Sequence, residues 1–244
     1  MSKTLYDDDF YAQQAAHSLI GARAVLGLLF EHFKPASMLD LGCGVGTWVR
    51  AAQDLGVADA LGLDGSWVRP EQLVVPAESF RAVDFTAPTF EIGRSADLGI
   101  SMEVLEHLPA AAADRAARLL ARAAPVVLFS AAIPGQPGTD HINLRWQSYW
   151  ASIFAQEGHV ATDGMRRLVW GRDDVPYWYQ QNVVLYARPE RMGELGFAPV
   201  EPRSLDVVHP LLFGDYVAWK EKRYKKRFSY RWKALRGRAR AVWQ

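Results

Sequence analysis

The amino-acid sequence predicts an α/β protein built on a doubly wound, mostly parallel sheet of seven strands with an antiparallel last strand. Three observations predict it. Short apolar runs of strand length alternate with stretches of helical periodicity. One of those runs leads straight into a glycine-rich turn and then a helix. The chain has 244 residues, half of them hydrophobic, enough for one domain with a single core.

The elements follow in order. Residues 7–33 read as helix, with Phe10, Leu19, Leu26, Leu29, Phe30 and Phe33 at roughly helical spacing, and Pro35 ends it. Residues 1–34 thus form a helical cap. Ser37 to Leu41 is a short apolar strand that runs into Gly42-Cys43-Gly44-Val45-Gly46, and Thr47 to Leu55 is the helix after that loop. Asp59 to Asp64, Phe80 to Asp84, Ala96 to Met102 and Pro125 to Ser130 read as strands two to five, with an Ala/Arg-rich helix from Ala110 to Ala123. A loop holding Pro134, Gly135, Pro137 and Gly138 leads to a helix from about Leu144 to Glu157. Residues 160–163 and 182–187 supply the last two strands. No good helix is evident between them, so a closing antiparallel pair is expected. The sheet domain spans 35–190 with an aromatic insertion at 165–180, and 191–244 is a C-terminal extension.

Composition excludes several classes. No run of about 18 apolar residues is present to span a membrane, and the start of the chain lacks the basic and apolar regions of a signal peptide. With one cysteine, Cys43, no intrachain disulfide can form, and cytoplasmic residence is the simplest expectation. The net charge of +1 hides an asymmetry: residues 220–240 hold eleven Lys/Arg and one acid, Glu221, which leaves 17 basic and 26 acidic residues elsewhere. An acidic body is not a general nucleic-acid binder. In the tail Val217, Tyr224, Phe228, Trp232, Leu235, Ala239 and Val242 draw an apolar stripe among the basic residues. Such a basic amphipathic helix packs on its own acidic domain, contacts a partner or second copy, or lies on an anionic membrane surface.

A strand, a glycine turn and a helix together make a ligand-binding construction, because glycines admit close backbone approach. The dinucleotide fingerprint G-x-G-x-x-G/A is not met: Gly42 and Gly44 fill its first two positions, but Thr47 takes the third. The pattern is instead Asp40-x-Gly42-x-Gly44-x-Gly46. At this point LDLGCGVGTW resembles motif I of the class I, Rossmann-like, S-adenosylmethionine-dependent methyltransferases. Three further elements agree in order. Asp64 ends strand two, 18 residues after Gly46. Asp84, followed by Phe85, ends strand three. Residues 101–109, SMEVLEHLP, look like the segment after strand four in the small-molecule branch of that family.

The resemblance implies S-adenosylmethionine as cofactor. It further implies that Asp40, Gly42, Gly44 and Gly46 line its methionine portion, with loop amides receiving the carboxylate. Asp64 would take the ribose hydroxyls and Asp84 with Phe85 would meet adenine. Met102 and Glu103 would complete the cofactor site. A sulfonium is an activated donor, so the protein must align an acceptor and, for a hydroxyl, remove a proton. His107, after strand four, and His141, in the polar loop after strand five, are the candidate bases. Residues 130–150 look like a subgroup of methyltransferases associated with surface polysaccharides, which points to a saccharide or other small-molecule acceptor. Trp146, Tyr149, Trp150, Trp170, Tyr177, Trp178 and Tyr179 could stack on sugar rings. The bland reading of Trp146, Tyr149, Trp150 and Phe154 is the buried stripe of one helix, and 170–179 is the better acceptor-side lid. No metal site is expected, because Glu103-x-x-Glu106-His107 matches neither H-E-x-x-H nor H-x-x-E-H; carboxylate-bound magnesium, as in catechol-type relatives, stays open. The expected function is O-methyl transfer. An N-methyltransferase, a silent cofactor-binding scaffold and a nicotinamide dehydrogenase are the rival readings.

Overall fold

In the computed structural model, which describes residues 8–218, 220 and 221, seven strands form one sheet. They are β1 Ser37–Leu41, β2 Asp59–Asp64, β3 Phe80–Ala82, β4 Leu98–Met102, β5 Val126–Ser130, β6 Val160–Thr162 and β7 Val184–Ala187, in the order β3-β2-β1-β4-β5-β7-β6. The first five pair in parallel, and β7 runs antiparallel to both β5 and β6. β6 therefore points the same way as β1–β5. The segment between β6 and β7 emerges at the carboxyl edge, alongside the loops after β1 and β4. The strand order reverses between β1 and β4, which opens a crevice at that edge.

Strand periodicity divides the core into two layers. Met38, Leu98, Ile100, Val126 and Leu128 face one side, where Leu26 and Leu29 of helix α1 (Asp8–His32) and Val49 of α2 (Thr47–Asp54) pack on them. Leu39, Leu41, Leu63, Val127 and Phe129 face the other side, under Leu120 of α3 (Ala110–Ala123) and Trp150 and Phe154 of α4 (Gln147–Gln156). A sheet covered on both faces needs apolar residues at successive positions, which is why β4 and β5 are buried throughout. Trp150 and Phe154 stand in an aromatic cluster with Phe129 and Tyr186, the last stacked on Phe154 at 4.2 Å. Tyr149 is only partly buried, its hydroxyl donating to Asp114, and Trp146 is exposed. The stripe expected of that helix thus holds for two of its aromatics.

Three expectations need correction. The helix expected from Leu144 begins at Gln147, because the amides of Ile142 and Asn143 are tied to the Glu106 carbonyl and hold the chain off helical geometry. The third strand ends at Ala82; the Asp84 carboxylate accepts from the Thr86 amide and hydroxyl and turns the chain. Two helices join β6 to β7 where none was expected: α5 (Gly164–Val169) and α6 (Tyr177–Asn182). Each has six residues, too few for a periodic stripe to register. They are held by burial of Met165, Val169 and Tyr179, and by an ion pair from buried Arg166 to Asp163 at 2.6 Å.

After β7 come α7 (Pro189–Glu194), a single 3₁₀ turn at Pro202–Leu205 and helical residues from 210. Apart from its first residues, the basic amphipathic helix expected over 217–242 lies outside the described residues. No helix among the described residues is long and apolar enough to cross a membrane.

Candidate functional site

The loop after β1 is shaped by three glycines in the left-handed region, with φ of 89° at Gly42, 54° at Gly44 and 92° at Gly46. They differ in what surrounds them. A Cβ on Gly42 would lie 2.4 Å from both methyls of Val104, and one on Gly46 2.7 Å from a methyl of Val75. A Cβ on Gly44 would meet nothing within 4 Å. Gly42 and Gly46 thus let the loop pack against the protein, while Gly44 presents bare backbone to open space. Cys43 turns the other way, against Gly62 of β2, where burial, Asp40 and Asp64 push its thiol pKa up.

The loop amides are largely committed. Gly42 and Cys43 donate to the Leu63 carbonyl, Gly46 donates to Cys43, and the Gly44 amide donates to Asp64 Oδ2 at 2.7 Å. Asp64 also accepts from the Gly65 amide at 2.6 Å. The carboxylate ending β2 therefore props the glycine loop in its present shape, and a ligand carboxylate would need donors other than these four amides. Burial raises the Asp64 pKa, against the two backbone hydrogen bonds. Asp40 is 1% exposed, and its Oδ2 has no hydrogen-bond partner. Burial, then the Asp64 charge, lift its pKa well above the usual carboxylate range. Two buried acids beside an open backbone surface make a place that favours a cation.

Across the crevice, Met102 ends β4 as a buried side chain, and Glu103 adopts a left-handed φ of 58° that only a few non-glycine residues hold. Its carboxylate accepts from Asn182 Nδ2 and Gln136 Nε2, each at 2.9 Å. Gln181 continues the network, donating to Asn182 Oδ1 and Gln136 Oε1. Burial pushes the Glu103 pKa up to about 7, against these hydrogen bonds. The network joins the loop after β4, the loop after β5 and the end of α6. On the neighbouring side Tyr179 meets Trp48 edge-on at 5.3 Å. Sequence reasoning missed Gln136, Gln181 and Asn182; the one available signal was three carboxamides flanking strand ends.

His107 and His141, weighed separately in the sequence, lie side by side with ring centroids 5.0 Å apart. The Glu106 carbonyl accepts from the amides of Ile142 and Asn143, and Asn143 Nδ2 donates to the Leu105 carbonyl, so the 141–143 strap lies on the 105–107 turn. Gly138 makes room for the His141 ring, since a Cβ there would sit 2.0 Å from it. Burial, then His107, lower the His141 pKa, against a hydrogen bond to the Gln136 backbone. Beneath them Glu106 is fully buried; one carboxylate oxygen accepts from the Ala132 amide and the other has no partner.

The remaining expected residues take no part in these contacts. Asp84 is exposed, and its Oδ1 is engaged with Thr86. Phe85 is turned into the core, edge-on to Phe90 at 5.2 Å. In the aromatic segment Trp170 and Trp178 are exposed, Tyr177 donates to Asp215, and Tyr179 is buried.

A family model described as a methyltransferase domain matches residues 11–169. No curated protein matches the sequence. Solved structures share the fold. An O-methyltransferase family protein from Burkholderia thailandensis has a TM-score of 0.52 at 13% identity, over 74% of this chain and 58% of its own. Human N-acetylserotonin methyltransferase in complex with SAM has 0.50 at 14%, over 75% and 56%. The sugar N-methyltransferase KedS8 from Streptoalloteichus sp. has 0.54 at 16%, over 77% and 97%. The chain thus spans less than two thirds of the first two proteins.

Proposed function

Because the chain belongs to the methyltransferase-domain family, and its methyl donor is therefore S-adenosylmethionine, we propose that it methylates a hydroxyl of a sugar or other small molecule. The observation that carries this reading is the pairing of two half-sites across the crevice between β1 and β4. On one side are the bare backbone of Gly44 and the buried Asp40 and Asp64, suited to a cationic donor. On the other, above the end of β4, are the paired imidazoles of His107 and His141.

The proposed chemistry is a direct displacement. The acceptor oxygen attacks the methyl carbon in line with the departing sulfur, whose bond pair stays on sulfur as the neutral thioether forms. The hydroxyl proton leaves on the side of the crevice that His107 and His141 line. Asp40, Gly42, Gly44 and Gly46 bound the methionine end, Asp64 reaches the ribose while propping the loop, and Asp84 lies toward adenine. A groove lined by Arg145, Trp146 and Tyr149, which follow the 141–143 strap in the chain, and by Arg203 offers aromatic and cationic walls for a saccharide.

Methyl transfer from labelled S-adenosylmethionine to a panel of saccharides and amines tests the reading. Incorporation into hydroxyl acceptors that falls on replacing His107 or His141 by alanine is expected. Unchanged turnover in both variants would remove the histidines from the chemistry, and labelling of amines alone would assign the enzyme to nitrogen acceptors.

A further inference from the structure

We infer that Glu106, His107 and His141 form a binding site for a divalent first-row transition-metal ion at the acceptor side of the crevice. One ligand atom from each, two imidazole nitrogens and a carboxylate oxygen, lie within 4.8 Å of one another. Ligand atoms around a four-coordinate zinc stand about 3.4 Å apart, given bonds of about 2.1 Å. The triad is therefore within a side-chain rotation of closing on an ion, and the exposed His107 is free to make it.

Two further observations point to a ligand. The buried atoms Glu106 Oε2 and His141 Nδ1 both lack a hydrogen-bond partner. An unpaired carboxylate oxygen on a fully buried side chain is costly, and a cation beside it removes the cost. The site is also held from behind, as metal ligands are. Glu106 Oε1 is fixed by the Ala132 amide. His141 Nδ1, buried and without a partner, is left as a ligand atom. Gly138 clears the space that the ring occupies.

Two imidazoles and one carboxylate are the donor set of catalytic rather than closed metal sites: three protein ligands with positions left over. Those positions would take the acceptor oxygen and stabilise its alkoxide, with its proton passing to solvent. The imidazoles then act through the ion instead of taking the proton themselves. This role rests on the hydroxyl-transfer reading; the site itself does not.

The test uses full-length protein stripped by a chelator and titrated with Co²⁺, followed by visible d–d absorption, and with Zn²⁺, followed by calorimetry. One equivalent per chain is expected, weakened at least about tenfold in His107→Ala, His141→Ala and the isosteric Glu106→Gln. Wild-type protein that takes up neither ion below millimolar concentration would overturn the site, as would binding unchanged in the two histidine variants. His107 is exposed, so its variant keeps the test open should Glu106→Gln fail to fold. For the role, transfer abolished by chelation and restored by metal is expected, and transfer that survives in metal-free protein would overturn it. Should no acceptor be methylated at all, the Co²⁺ and Zn²⁺ titrations still decide the site.

Discussion

Alanine at Gly42 and at Gly44 should separate stability from cofactor binding within one loop. Both residues hold a positive φ, 89° and 54°, so each substitution carries the left-handed cost of about 1–2 kcal/mol. At Gly42 the new methyl would also stand 2.4 Å from both Val104 methyls. Overpacking of that kind adds about 1–3 kcal/mol. At Gly44 nothing lies within 4 Å, and only the backbone term applies. For a chain of this size each kcal/mol lowers Tm by about 2–4 °C. Gly42→Ala should therefore melt about 4–20 °C below the wild type, and about 2–12 °C below Gly44→Ala. The order reverses for the ligand. The Gly44 methyl would project into the space assigned to the methionine portion, and displacing a ligand by about 1–3 kcal/mol weakens binding roughly 5- to 150-fold. Scanning calorimetry and titration with S-adenosylhomocysteine read the two effects on the same samples. Gly44→Ala protein that binds the nucleoside as the wild type does, or that loses as much Tm as Gly42→Ala, would refute the assignment of the open face to the cofactor.

Three more expectations follow from the same geometry. Asp40→Asn should raise the stability of the ligand-free protein at pH 8 by on the order of 1 kcal/mol while weakening S-adenosylhomocysteine binding, because it removes a buried carboxyl whose ionisation burial opposes and whose Oδ2 has no partner. The sign follows from the raised folded-state pKa: wild-type stability declines as pH rises from the unfolded value through the folded one, and Tm against pH should be flatter in the variant across that window. Arg166→Ala should cost about 3 kcal/mol in urea unfolding, the lower end for a broken buried pair, because Asp163 keeps Arg167 at 3.6 Å. Full-length protein should float with anionic liposomes at low salt and release at moderate salt if residues 220–240 lie on a membrane surface, and a chain ending at Asp215 should not float; full-length protein that stays in the aqueous phase would end that reading.

Much of the fold was legible because its signals are local. A buried parallel strand must be apolar at successive positions and must end where its loop begins, so β1, β2 and β5 stand within a residue of where the apolar runs place them. The glycines of residues 42–46 and the acid at 64 were legible for the same reason, since the turn requires positive φ from residues that lie next to one another. α5 and α6 were not legible: six-residue helices carry no periodic stripe, and both depend on partners far along the chain. The acceptor side was half legible. His107 and His141 each stood out, but nothing in the spacing set one against the other.

By itself the sequence determined the seven strands and their order along the chain, the glycine loop and the acids that flank it, because each is a property of a short stretch and its solvent or backbone requirements. Tertiary structure alone decided that Gly44 faces open space while Gly42 is filled by Val104, and that Phe85 serves the core. It also decided that Glu106, His107 and His141 converge beside a carboxamide network drawn from three loops. Those are contacts between residues about 30 to 80 positions apart. Such contacts arise only when packing on a common sheet brings the ends of non-adjacent strands to one edge, a distance that no local pattern encodes.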